Sequence, residues 1–137
     1  EIEPGRTYEV EGLKITPIPV NHLVPTVGFL VEDDHSGFLF TSDTAETDAV
    51  YEAANSAEHL DLFITEASFP NEQGALAESS RHLTPAKLGR ELRKLKRDVP
   101  VAVYHLTPGE RSVMLPQIEA LGHPRLSLLA QDAVFEF

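Results

Sequence analysis

Two stretches, residues 60–67 (LDLFITEA) and 100–106 (PVAVYHL), are apolar almost without alternation. Strands of that kind belong inside a sheet covered on both faces. Between them, residues 84–97 (TPAKLGRELRKLKR) carry the clearest helical pattern in the chain. Thr84 suits the N-cap, Pro85 suits the first helical position, and Leu88, Leu92 and Leu95 make one stripe. This order of strand, helix and strand requires a sheet with helices packed on it.

The flanking segments fit that frame. Residues 13–20 (LKITPIPV) alternate and suit a half-buried strand, while 26–32 (TVGFLVE) and 37–42 (GFLFTS) flank DDHS and predict a hairpin. Residues 46–57 predict a helix with Ala49, Val50, Ala53 and Ala54 on its buried side. Residues 69–82 read as a polar loop with a helical turn. Residues 109–121 are helical in pattern, with Pro116 expected to kink or break them. RLSLLAQ and AVFEF predict two closing strands around Gln131-Asp132. The class is therefore α/β (α+β), with a mixed sheet, hairpins at both ends and no strict doubly wound alternation.

The composition narrows the function. At 137 residues the chain suits one domain spanning 1–137. Its net charge of −11 argues against a large phosphate-backbone footprint, so nucleic acid is a disfavoured partner. A small anionic substrate stays open, because bound divalent cations reverse the local sign. With no cysteine, disulfides and thiolate-bound zinc are excluded, and a cytoplasmic location fits. No membrane span or secretory signal is expected.

Three polar residues fall where apolar runs stop. His22 follows PIPV, Asp43 ends FLFTS, and His105 follows VAVY. Strand ends on a rigid scaffold can aim side chains at a shared point, and imidazole with carboxylate suits zinc, manganese or iron. Each also has a plainer reading: Asp43 as a helix cap, His22 as a turn residue, His105 as a core histidine. His82, just before the cap Thr84, is a candidate general acid or stabilising donor, or simply part of the helix start. Glu66 ends ITE and could orient a histidine or face water. His35, His59 and His123 sit in loop contexts and read as surface.

The segments PVNHLVPTVGFLV, FTSDT, LFITEASFPN, SRHLTP and VYHLTPG occur in an order that resembles the second half of metallo-β-lactamase-fold hydrolases. Within that superfamily they look most like class II cyclic-nucleotide phosphodiesterases. The tRNA 3′-processing endonucleases are similar in the H-x-x-P-x-x-G and SDT-like segments. The resemblance runs from about residue 12 to the end. It implies half of a four-layer αββα sandwich, with helices on the outer face of its sheet. It also implies two divalent ions, zinc first, with manganese or iron as alternatives. His22 would bind the first ion, Asp43 would bridge both through its carboxylate beside a hydroxide, and His105 would bind the second. His82 would stand near the scissile phosphate, with Glu66 orienting it.

Two departures accompany the resemblance. Ser42 stands where the family usually has glycine, adding a hydroxyl beside the metals. The H-x-H-x-D-H run of the superfamily is missing, so the chain is expected to begin after the half that carries it. The apolar inner sheet face is then expected to meet a complementary N-terminal half or a second copy. The implied activity is hydrolysis of a cyclic nucleotide or other small phosphodiester. Alternatives are an RNase Z-like nuclease, a phospholipid head-group hydrolase, a thioester or lactone hydrolase, and a non-catalytic scaffold.

Overall fold

The computed structural model describes residues 2–137. Seven strands form one sheet in sequence order: β1 (Tyr8–Val10), β2 (Leu13–Pro19), β3 (Val27–Glu32), β4 (Gly37–Phe40), β5 (Leu62–Glu66), β6 (Val101–Tyr104) and β7 (Leu126–Leu128). β1 to β4 pair antiparallel and β4 to β7 pair parallel. The change follows the connections. Short turns join the first four strands, whereas parallel neighbours need a crossover. Those crossovers carry α1 (Ala49–Ser56), α2 (Gly74–Ser80) with α3 (Pro85–Glu91), and α4 (Arg111–Glu119).

Ile18, Leu30, Leu39, Phe63, Val101 and Val103 point from the sheet into the core. They meet Val50, Tyr51 and Ala54 of α1, Leu88 of α3, and Met114 and Ile118 of α4. The start of α3 is built as expected: the Thr84 hydroxyl accepts the Lys87 N–H at 3.3 Å, and Pro85 opens the helix. The helix is shorter than its pattern, giving way to a 3-10 turn over Leu92–Lys94. Pro116 neither ends nor splits α4, which continues to Glu119. The loop over 69–82 carries more helix than the turn expected there, a 3-10 turn over Asn71–Gln73 followed by α2.

The C-terminal hairpin is not formed. β7 adds parallel to β6, and 133–137 contain no strand. The apolar alternation of AVFEF has another outlet. Phe135 and Phe137 line a depression with Phe38, Leu62 and Ile64, on the sheet face opposite the helices. Register places Pro17, Phe29, Phe40, Ile64 and Ala102 in one cross-strand row on that face. The half-buried Phe29, Phe38, Phe40 and Ile64 leave it an apolar surface.

The topology also defines an edge. β2 and β4 are both antiparallel to β3, so they run the same way, and β5 and β6 follow β4. The carboxyl ends of β2, β4, β5 and β6 therefore share one side of the sheet. His22, Asp43, Glu66 and His105 lie at those four ends. Gly28 holds the strands close there: a Cβ would meet the Phe40 carbonyl oxygen at 2.8 Å and that of Thr41 at 2.9 Å. Gly28→Ala must displace backbone just ahead of Asp43. We expect it to cost about 1–3 kcal/mol, read by urea denaturation.

No helix among the described residues is long and apolar enough to cross a membrane.

Candidate metal centre

At the shared edge, Asp43, Glu66, His82 and His105 each bring a potential ligand atom within 4.8 Å of the others. His22 stands beside this cluster, its ring centroid 4.9 Å from that of His82. The His82 and His105 centroids are 5.3 Å apart. The five residues singled out in the sequence thus converge. His35, His59 and His123 lie outside the cluster.

Glu66 differs from the others. It is fully buried, and both carboxylate oxygens are occupied. Oε1 accepts the Thr44 N–H at 3.0 Å and His82 Nδ1–H at 2.6 Å. Oε2 accepts the Ser68 hydroxyl at 2.8 Å and the Leu83 N–H at 3.1 Å. A carboxylate holding four donors is built to orient its neighbours, and facing water is excluded for it. The Glu66 hydrogen bond raises the pKa of His82 above its ordinary 6.5, against the opposing pull of burial.

Asp43 is open by contrast, with 36% of its side chain exposed. It does not cap α1, which begins after Asp48. Tyr104 Oη–H donates to Asp43 Oδ1 at 3.3 Å, and His105 Nδ1 lies 3.1 Å from the same oxygen. Burial, then the Asp43 charge, pushes the Tyr104 pKa up, so the phenol remains a neutral donor. His105 is no core histidine: 44% of its side chain is exposed.

The hydrogen bonds fix the protons. The Arg81 carbonyl, 3.1 Å from His22 Nδ1, can only accept, so Nδ1 carries the hydrogen. The Glu66 and Asp43 carboxylates impose the same on His82 and His105. Ser68 lies among them, with Oγ 3.0 Å from His105 Nδ1 and 3.2 Å from His82 Nδ1. In neutral imidazoles this leaves Nε2 of all three rings with a free lone pair. Metal-binding histidines are held in this way, by a carboxylate or carbonyl on the other ring nitrogen. The donor set fits a divalent ion of the zinc, manganese or iron type.

Backbone strain gathers at the same place. Ser42 (φ 56°), Arg81 (φ 56°) and His105 (φ 66°) are non-glycine residues in the left-handed region, beside or within the cluster. Ser42 occupies the position at which glycine was the expected residue, and its positive φ explains that preference. The Ser42 hydroxyl is taken up by the Val27 carbonyl at 2.7 Å. We expect Ser42→Ala to lose about 1 kcal/mol, because the bond goes and the strain stays, whereas Ser42→Gly comes out near neutral. Thermal unfolding of the two variants checks the pair.

Sequence reasoning missed Ser68, Tyr104, Arg81 and Thr44. Serine and tyrosine beside strand ends carry no distinctive spacing, and nothing in an arginine announces a left-handed backbone. The EAS and VYH contexts were the available signals, since each places the missed residue next to one already selected.

The chain matches a family model described as the β-lactamase superfamily domain over residues 1–113. No curated protein matches it in sequence. Among solved structures it is similar to the metallo-β-lactamase-fold protein YhfI from Bacillus subtilis, with TM-score 0.76 and 18% identity, covering 93% of this chain and 51% of that one. It is also similar to the short form of human tRNase Z, with TM-score 0.68 and 18% identity, covering 94% of this chain and 45% of that one. Zn²⁺-bound PqqB from Methylobacterium extorquens aligns with TM-score 0.67 and 15% identity, over 99% of this chain and 55% of that one. The chain therefore spans about half the length of these structures. The chain belongs to the β-lactamase superfamily domain family, and its seven-stranded mixed sheet with helices is consistent with half of a metallo-β-lactamase-fold sandwich.

Proposed function

We propose that this chain is the carboxyl-side half of a metal-dependent phosphodiester hydrolase acting on a cyclic nucleotide or another small phosphodiester. The observation that carries the reading is the Glu66–His82 pair. A fully buried carboxylate holds Nδ1–H of an imidazole 2.6 Å away, within a cluster containing Asp43 and His105. Hydrolysis of a phosphodiester expels an alkoxide-like oxygen, which needs a proton or a stabilising donor as the bond breaks. His82 has the support for either task. Glu66 favours its charged form, and the fixed Nδ1–H directs Nε2 outward as the working nitrogen.

Asp43, His22 and His105 would hold the divalent ions, zinc being the first choice. When bound, such ions lower the pKa of a water and polarise a phosphoryl oxygen. Tyr104 and Ser68 keep Asp43 and His105 oriented through the bonds described above. An acidic chain of net charge −11 favours a small anion over a nucleic-acid polymer.

The remaining donors would come from the complementary half of the fold, seated on the apolar face of Phe29, Phe38, Phe40 and Ile64. The length relation to the matched structures supports this occupant over a second copy. Light scattering on the 137-residue chain, alone and with that half added, should give a monomer and then a one-to-one complex. A stable homodimer that ignores the added half would select the second copy instead.

The activity test uses the completed protein with added zinc or manganese. Bis(p-nitrophenyl) phosphate and cyclic nucleotides should be hydrolysed, with thioesters and lactones untouched. Turnover of thioesters or lactones alone would replace the phosphodiester reading. Absence of turnover, with metal bound, would favour a scaffold.

A further inference from the structure

His22 and Arg81, 59 residues apart in sequence, hold each other in both directions. His22 Nδ1–H donates to the Arg81 carbonyl at 3.1 Å, and Arg81 Nη1–H donates to the His22 carbonyl at 3.0 Å. Arg81 closes α2 in a left-handed conformation, φ 56° and ψ 58°. Glycine is the residue that such a helix end normally takes, and it would present the same carbonyl without steric cost. The arginine is explained by its side chain, whose guanidinium makes the return bond that glycine cannot.

The loop that carries His22 needs such a hold. Leu23 and Val24 are exposed and pack into no core. On the other side, the Asn21 N–H donates to Thr44 Oγ1 at 3.0 Å, and the Ala45 N–H donates to the Asn21 carbonyl at 2.8 Å. These bonds tie down the backbone ahead of His22 but leave its ring unaddressed. We propose that Arg81 is a positioning residue for His22. Its carbonyl selects the Nδ1–H tautomer and turns Nε2 outward, while its guanidinium holds the loop at the height this requires. The inference rests on the reading of His22 as a metal ligand.

The test compares Arg81→Gly, Arg81→Ala and Arg81→Lys in the completed protein, this chain with its complementary half. Zinc affinity is measured by competition with a chromophoric chelator, and the His22 tautomer by long-range ¹H–¹⁵N spectra of the metal-free protein. Arg81→Gly relieves the backbone, so its Tm should stay level or rise. Its zinc affinity should nevertheless fall about tenfold, as should that of Arg81→Ala, and His22 should change from one tautomer to a mixture. Arg81→Lys keeps a donor and should return to within about threefold of the parent. A purely structural role would move affinity only in step with Tm. Unchanged zinc affinity and an unchanged His22 pattern in Arg81→Gly would overturn the proposal. If the completed parent protein takes up no zinc, the metal reading of His22 fails. The clamp is then judged on the spectra, where absence of Nδ1–H in the parent defeats it.

Discussion

Glu66→Gln is expected to destabilise the protein by about 3–5 kcal/mol, the range for breaking a buried charged pair by altering one partner. The cause lies in the four donors aimed at the carboxylate. Glutamine offers one accepting oxygen and sets an NH₂ group against the remaining donors at a fully buried site. Chemical denaturation should report a lower midpoint with an unchanged slope. His82 adds a pH signature. Its pKa is raised in the folded protein by the bond to Glu66. The stability from this pair is therefore complete below the unfolded histidine value and is lost as pH rises through the folded value. The parent should lose stability across the range just above neutral histidine titration, and Glu66→Gln should lose that dependence. A variant as stable as the parent would mean that Glu66 is not the anchor described here.

Asp43→Asn is expected to do the reverse, sparing the fold and removing the metal. Asp43 is partly exposed, and an asparagine Oδ1 can still accept from Tyr104. Stability should stay within about 1 kcal/mol of the parent. Loss of the carboxylate removes the anionic ligand proposed to bridge the ions, so zinc affinity should fall by at least about a hundredfold, more than for loss of a supporting partner. Phosphodiester turnover by the completed protein should fall with it. Elemental analysis after dialysis, beside a thermal melt, separates the two effects. Equal zinc content in parent and variant would remove Asp43 from the centre.

These two residues also mark how far the sequence could be read. Asp43, His22 and His105 stood out because apolar strand runs stop at them, and Thr84-Pro85 stood out because a cap is a local device. Both kinds of inference depend on neighbours along the chain. The environment of Glu66 does not: Thr44, His82 and Leu83 reach it from 22, 16 and 17 residues away. Its burial follows only from the meeting of three segments. The misread C-terminal hairpin has a similar cause. The alternation in AVFEF marked apolar side chains, but Phe135 and Phe137 stay exposed beside Phe38, Leu62 and Ile64 on the sheet face and form no strand with β7. The mixed sheet was legible in the strand–helix–strand order, but the parallel addition of β7 was not, because strand direction is decided by crossovers whose packing leaves no mark on a three-residue strand.

The sequential strand order has a kinetic consequence. Each strand pairs with its predecessor, so no strand must wait for a distant segment to be inserted between neighbours. The antiparallel pairs of β1–β4 close over short connections, whereas each parallel pair must first close a crossover loop and forms more slowly. On a ribosome, the meander β1–β4 can form while later residues are still being added. Asp43 is then in place early, Glu66 and His82 follow as β5 and α2 dock, and His105 arrives with β6. The candidate centre is thus completed only when β6 docks, and a nascent chain displays its carboxylates before it has the full set of imidazoles.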